Sequence, residues 1–240
     1  MEKREILYNG GSVRIFSTEN PDEVLVCFTD TITAFNKIKR AVIADKARMN
    51  AAISAMVFEI LEKNGVRTHF IRKVSDTEHL CRKVEIIPIE VIVRNVIAGS
   101  MAVRLGLEEG LIPESPVYDL CYKNEDLSDP LINDFHAVSL GLVSKEELKT
   151  VYSQSEKING ILKPLFMSVG IDLVDFKIEF GRLPSGEIIL ADEITPDNAR
   201  FWDSKTKERY DKDRFRKDMG KVGDAYRKIY EKLLEIRKGL

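Results

Sequence analysis

The sequence predicts an α+β fold of antiparallel strands and helices, and three observations carry that prediction. Short runs rich in β-branched and aromatic residues crowd the first third of the chain. A helical repeat of apolar residues follows them, and the remaining strands then mix with helices without a regular βαβ succession. With 240 residues the chain buries a substantial core, as one large domain or as two lobes sharing a cleft. The lobe boundary is placed at 84/85, with 1–84 an antiparallel β lobe carrying one helix and 85–240 a larger α+β lobe.

Element by element, "REILYNG", "SVRIFST" and "EVLVCFTD" are separated by Asn9-Gly10-Gly11 and Asn20-Pro21-Asp22, which are turn sequences, so an antiparallel meander opens the chain. Ile53, Met56, Val57, Ile60 and Leu61 then recur at helical spacing, with Asp45 as the expected N-cap and Gly65 in the C′ position. "THFIRKV" and "HLCRKVEIIPIEVIVRNVI" resume the strand pattern, and Pro88 predicts a break or edge there. In "VIVRNVIAGSMAVRLGL" a strand passes through Gly99 into a helix, with Ser100 as the expected N-cap. Ser144 and Glu147 form a capping box for a helix running to Gly170, which Pro164 is expected to kink or divide. "VDFKIEFG" and "EIILADE" flank the turn "RLPSGE" as a hairpin, and a surface helix closes the chain from about Asp224 to Lys238.

Composition excludes several function classes. Lys and Arg number 37 against 39 Asp and Glu, a formal charge of -2, so no basic excess points to nucleic acid. Cys27, Cys81 and Cys121 are scattered, without zinc-site spacing or a complete disulfide framework, which fits a reducing cytoplasm. "MEKREILYNG" has no signal-peptide core, and the richest apolar stretch, Val84 to Val93, contains Glu85 and Glu90 and is too short to span a bilayer. His69, His79 and His136 show no metal-site spacing, and neither a P-loop nor a GxSxG elbow is present.

The chemistry candidates are charged residues inside apolar strands. In "VDFKIEFG" alternation puts Asp175, Lys177 and Glu179 on one face and Phe176, Ile178 and Phe180 on the other. The hairpin then brings Asp192 close to Glu179, and paired carboxylates call for a cation between them, for which hard oxygen donors suit Mg2+. A solvated sheet face with cross-strand lysine–carboxylate pairs has the same pattern. A helix start at Gly99-Ser100 with Arg94 beside it can hold a phosphate, although a plain strand-to-helix connection reads alike. In "FWDSKTKERYDKDRFR", Lys212, Arg214 and Arg216, with Arg200 just upstream, either hold an anionic substrate or are solvated.

Taken together, "VIVRNVIAGS", "SDTEHL", "KNEDLSDP", "VDFKIEFG", "LADEITPDNARFWD" and "DKDRFR" resemble the phosphoribosylaminoimidazole-succinocarboxamide synthase (SAICAR synthetase) family, in order and over almost the whole chain. That resemblance implies a two-lobed fold with an ATP-grasp-like cleft between the lobes. It also implies use of ATP and Mg2+ to join L-aspartate to the carboxylate of carboxyaminoimidazole ribonucleotide (CAIR) in purine biosynthesis, releasing ADP and phosphate. By the same resemblance Glu179 and Asp192 bind metal, and Arg94, Ser100 and Arg200 hold the ribonucleotide. Lys177 neutralises the transferring phosphoryl group, and Lys123, Asp175, Asp197 and Arg216 line the cleft. Asp175 or Asp129 takes the amine proton, and the adenine lies along Cys81 to Ile87, at Lys83 and Ile86. Homodimers occur among relatives, and no stretch of this sequence identifies the interface. A small-molecule kinase and a catalytically idle nucleotide-binding module are the competing readings.

One departure stands out. The family's opening hairpin commonly reads Leu-Tyr-x-Gly-Lys-x-Lys, with lysines reaching the ATP phosphates, whereas "LYNGGSV" places Gly11 and Val13 there. Gly11 and Ser12 are left to offer backbone N–H groups, with Lys37 or Lys39 as substitute cations, and Gly11→Lys is expected to strengthen or spare ATP binding.

Overall fold

The computed structural model describes residues 3–239. β1 (Ile6–Asn9), β2 (Val13–Ser17) and β3 (Glu23–Phe28) form the expected meander. A small hairpin of β4 (Thr31–Ala34) and β5 (Lys39–Val42) follows, then helix α1 (Lys46–Lys63), β6 (Phe70–Ser75) and β7 (Glu78–Arg82). The five-stranded sheet has the order β1-β2-β3-β7-β6 and is antiparallel throughout.

The ends of α1 divide the expectation. Gly65, at φ 73°, and Val66 return their N–H groups to Glu62 O and Leu61 O, as a glycine in the C′ position should. Asp45 is the N-cap residue as expected, but its carboxylate caps nothing: at φ 63° it leaves the extended backbone that aims a cap side chain at the first amides. Asp30 Oδ1 accepts from Ala47 N instead, at 2.9 Å.

The second sheet carries β8 (Glu85–Arg94), β9 (Val117–Tyr122), β10 (Leu131–Ile132), β11 (Ile171–Arg182), β12 (Ile188–Ala191) and β13 (Ala199–Asp203). Their order is β10-β9-β8-β11-β12, with β13 on the same edge of β11 as β12. Helices α2 (Ser100–Leu105), α3 (Asp134–Ser139), α4 (Lys145–Met167), α5 (Asp213–Arg216) and α6 (Val222–Gly239) complete the chain.

Both prolines are absorbed. β8 runs through Pro88 because the register against β11 shifts between Glu179↔Glu90 and Gly181↔Ile86, a bulge where the missing N–H is not needed. α4 opens on the Ser144–Glu147 capping box and stays one helix through Pro164, which falls close to its C-terminal end. Ser168 N donates to Pro164 O at 3.0 Å, so the last turn still closes.

Phe176, Ile178 and Phe180 of β11 face Ile158, Leu162 and Phe166 of α4 in a core that also includes Met49, Ile53 and Phe58 of α1. The final helix is amphipathic: Tyr226, Ile229 and Leu233 are buried, and it packs on α1. The two large sheets separate between Arg82 and Glu85, yet His69 N→Leu190 O and Leu190 N→Arg67 O tie them together.

His79 is buried under the first sheet, where Nε2 meets Ala51 O at 2.8 Å, and burial lowers its pKa to about 4. The folded chain keeps it neutral while the unfolded chain charges it near pH 6.5. Its contribution is therefore intact above pH 6.5 and lost as pH falls toward 4. The stability gap between parent and His79→Gln, measured by urea unfolding, is expected to narrow by roughly 1–3 kcal/mol from pH 7 to 4.5. An equal gap at both pH values would contradict this.

Candidate active site

The polar face of β11 gathers charge as its alternation predicts. Lys177 Nζ donates to Glu90 Oε1 (2.8 Å), to Asp192 Oδ2 (3.1 Å) and to Glu179 Oε1. Lys123 Nζ donates to Glu179 Oε1 at 2.7 Å. The hairpin register, Glu179↔Ala191, places Asp192 one residue beyond the ladder, at φ 60°. A non-glycine residue in that region costs on the order of 1 kcal/mol and persists only where its surroundings fix it.

Burial alone would raise the pKa of Glu179, but Lys177 and Lys123 outweigh it and bring the carboxyl down to about 2. Burial, together with the Glu179 charge, pushes Glu90 up to about 7 against the pull of Lys177. Lys177 is itself buried, which would lower its pKa, yet Asp192, Glu179 and Glu90 hold it well above the usual lysine range. Glu193 is pushed up to about 8 by burial and by Asp197 and Asp192. Its Oε1 accepts from Ser12 Oγ at 3.2 Å, while Oε2 has no partner.

The donor set fits Mg2+. Glu179 and Asp192 are hard oxygen donors already arranged around one cationic group, the Lys177 ammonium. Among the described residues no preformed cluster of three or more metal-ligating side chains exists. Such a pair matches an ion held by one or two carboxylates and completed by substrate phosphates.

A second cluster adjoins this one along β11. Arg94 Nε donates to Asp119 Oδ2 (2.7 Å), Nη1 to Asp175 Oδ2 (3.0 Å) and Nη2 to Ser100 Oγ (3.2 Å). Arg200 Nη1 shares Asp175 Oδ2 at 2.7 Å and its Nε meets Asp213 Oδ2 at 2.9 Å, while Arg216 Nη1 holds Asp213 Oδ1 at 2.7 Å. Gly99, at φ 56°, lies so close to Arg200 that an added Cβ would stand 2.4 Å from Nη2. The positive φ favours glycine at 99, and a side chain there would also displace the Arg200 guanidinium from its place. That backbone makes Gly99 the cap residue and Ser100 the first residue of α2, correcting the expected N-cap. α2 spans only six residues, so the groups here able to hold an anion are the guanidinium groups and the Ser100 hydroxyl.

Other expectations change. Asp197 does not open onto the cleft: it is 6 % exposed, and its carboxylate is taken up by Lys46, Asn50 and Tyr226. Lys37 pairs with Glu125 (2.5 Å) and Lys39 with Asp218 (2.6 Å), so both substitute cations are already neutralised. Lys83 N donates to Asp22 O, and Ile86 pairs with Gly181 in the sheet; among the described residues neither makes a hydrogen bond to the carboxylate centre. Arg214 binds the carbonyls of Gly220 and Met219, which makes it part of the fold. Glu90 and Glu193 were not foreseen. Glu90 shares the alternation of Ile92 and Arg94 on β8, a signal masked by expecting a break at Pro88.

A model of the SAICAR synthetase family matches residues 6–233. The phosphoribosylaminoimidazole-succinocarboxamide synthase of Clostridium botulinum is 56% identical over 233 residues, 97% of this chain and 99% of that protein. The chain belongs to the SAICAR synthetase family. A crystal structure of that synthase from Ehrlichia chaffeensis superposes with a TM-score of 0.93 at 44% identity, covering 95% of this chain and 98% of that one. A SAICAR synthetase solved in complex with ADP gives 0.92 at 43% identity, covering 95% and 97%. The α+β fold and the ligase activity expected from the sequence are those of this family.

The departure at the first hairpin persists in three dimensions. Val13 is buried, and an added Cβ at Gly11 would stand 2.7 Å from Thr33 Oγ1. On this geometry Gly11→Lys is expected to weaken ADP binding about two- to tenfold through that clash, the opposite of what the sequence alone suggests. Gly11→Lys with Thr33→Gly, which opens the space, is expected to bind ADP at least as well as the Thr33→Gly parent. Calorimetry checks both, and weaker binding by the double variant would show that the hairpin has no use for a cation.

Proposed function

We propose that this chain joins L-aspartate to the CAIR carboxylate at the expense of ATP, in the cytoplasm. The observation that carries this is the adjacency of two sites on β11. Lys177 is ringed by Glu90, Glu179 and Asp192, and Arg94 with Arg200 converges on Asp175 and Ser100. The first suits a transferring phosphoryl group and the second a ribonucleotide phosphate. Glu179 and Asp192 would hold Mg2+, which when bound shields phosphate charge.

A carboxylate is a poor electrophile, so it is activated before the amine attacks. A CAIR carboxylate oxygen attacks the γ-phosphorus, the bond to the ADP oxygen breaks, and an acyl phosphate forms. Lys177 balances charge as it moves across that group, and its own high pKa keeps it cationic. The aspartate nitrogen then attacks the acyl carbon, inorganic phosphate leaves, and the amine proton passes to a carboxylate. Asp175 accepts from Arg94 and Arg200 and so orients those guanidiniums; Asp129, whose Oδ1 accepts from Asn124 N in the loop after β9, is the proposed base.

In this reading residues 1–84 cover the nucleotide, with Gly11 and Ser12 at its phosphates and the segment at Lys83 and Ile86 along the base. Residues 85–240 carry the metal and ribonucleotide sites, with Lys123 and Arg216 at the margins. A homodimer belongs to the same reading, with exposed Val103, Leu105 and Ile112 available for contact; a monomeric mass by light scattering would remove it. The test is ADP formation with ATP, Mg2+, CAIR and L-aspartate, omitting each in turn. ADP that requires all four establishes the ligase, whereas ADP without aspartate indicates a kinase.

A further inference from the structure

Asp197 receives hydrogen bonds from two distant helices. Lys46 Nζ and Asn50 Nδ2, one turn apart on α1, both donate to Oδ2 at 2.7 Å, and Tyr226 Oη on α6 donates to Oδ1 at 2.8 Å. Lys46, Asn50 and Tyr226 are each 0 % exposed. Burying an ion pair is costly unless its remaining lone pairs are satisfied, and here both oxygens are. A carboxylate so occupied is poorly placed to bind substrate.

The turn holding Asp197 is wired to the catalytic face. Asp197 N donates to Thr195 Oγ1 (3.2 Å), Thr195 N to Asn198 Oδ1 (2.9 Å), and Asn198 Nδ2 to Glu193 O (2.5 Å), next to Asp192. Asn198 O in turn accepts from Lys177 N at 2.9 Å. The turn leaves the edge of β11 after the β12 pairing ends at Ala191 and returns to it where Ala199 pairs with Phe176. Its position therefore bears on both Asp192, held at φ 60°, and the backbone of Lys177.

We propose that Asp197 is a positioning residue, and that Lys46, Asn50 and Tyr226 form with it a buried anchor that fixes the 192–198 turn and thereby aligns Asp192 with Lys177. The proposal rests on the assignment of those two residues to phosphoryl transfer and metal binding. α1 lies between β5 and β6 in the chain and α6 closes it, so the anchor locks the catalytic turn to two elements outside the second sheet.

Tyr226→Phe tests it, because it deletes one hydroxyl and leaves the ring in place. Supporting partners around a metal site are typically worth ten- to a hundredfold, so kcat is expected to fall about tenfold and half-saturating Mg2+ to rise about tenfold. KM for CAIR and for aspartate should stay within about twofold. Mn2+ affinity in the presence of ADP, by calorimetry, should weaken in step. The Lys177 amide should exchange with solvent about tenfold faster while α4 amides keep their rates. Asn50→Ala removes a donor from the α1 side and should give the same signature, which keeps the test independent of either variant's yield. A tenfold rise in KM for either substrate with unchanged Mg2+ dependence would make Asp197 a substrate ligand and overturn the proposal. Unchanged kcat, Mn2+ affinity and amide exchange would overturn it too. Failure of the functional reading shows separately, as a parent enzyme whose ADP formation needs no aspartate; Lys177 amide exchange still judges the anchor in that event.

Discussion

Glu179→Ala is expected to reduce turnover by about 10²–10³-fold, the scale on which removing one preorganised electrostatic group is felt. Glu179 is 3 % exposed and takes up both the Lys177 and Lys123 ammonium groups, so its loss removes a proposed ligand for the cation and one carboxylate partner from each ammonium. Lys177 keeps Glu90 and Asp192 as partners, and burial of Phe176, Ile178 and Phe180 on the opposite face is untouched. The fold should therefore survive, with a thermal midpoint within a few degrees of the parent. Glu179→Gln keeps the shape and loses the charge, and should fall as far. The coupled ADP assay reads both. Turnover within about tenfold of the parent, roughly 1.4 kcal/mol in barrier, would remove Glu179 from the metal site.

That this centre could be found from sequence follows from the period of a strand. Alternate residues of "VDFKIEFG" must share a face whatever the tertiary fold, so the separation of Lys177 and Glu179 from Phe176 and Ile178 was legible locally. The capping box at Ser144 and the Gly65 terminus were legible for the same reason, since their partners lie within a turn. The anchor was not, because Lys46 meets Asp197 across a sequence separation of 151 and no local pattern marks a buried lysine. The β4–β5 hairpin escaped because its turn puts Phe35, Asn36 and Lys37 at positive φ, where sequence reading looks for glycine. Asp30 took the cap expected of Asp45 through a contact that crosses this same hairpin. Pairing was harder to read than alternation, which is why Glu90 emerged only with the register of β8 against β11.

Arg94→Leu is expected to act first on stability and only then on binding. Arg94 is 1 % exposed between Asp119 and Asp175, themselves 8 % and 2 % exposed. Removing one partner of a buried ion pair typically costs about 3–5 kcal/mol, because the remaining charge stays desolvated. Here the carboxylates keep other partners, Asp119 through Arg104 at 2.8 Å and Asp175 through Arg200 at 2.7 Å, so the loss should sit near about 3 kcal/mol. A guanidinium has five N–H groups, and Arg94 spends them on Asp119, Asp175 and Ser100 with capacity left for an anion. Binding to the ribonucleotide should weaken as well. Arg200→Ala provides the contrast: Asp213 keeps Arg209 and Arg216 and Asp175 keeps Arg94, so the effect should appear mainly as weaker CAIR binding. Urea unfolding and CAIR titration of the two variants separate the roles. Arg94→Leu with parental stability and only a raised Kd would mean that Asp119 and Asp175 do not depend on it, and that Arg94 serves the phosphate alone.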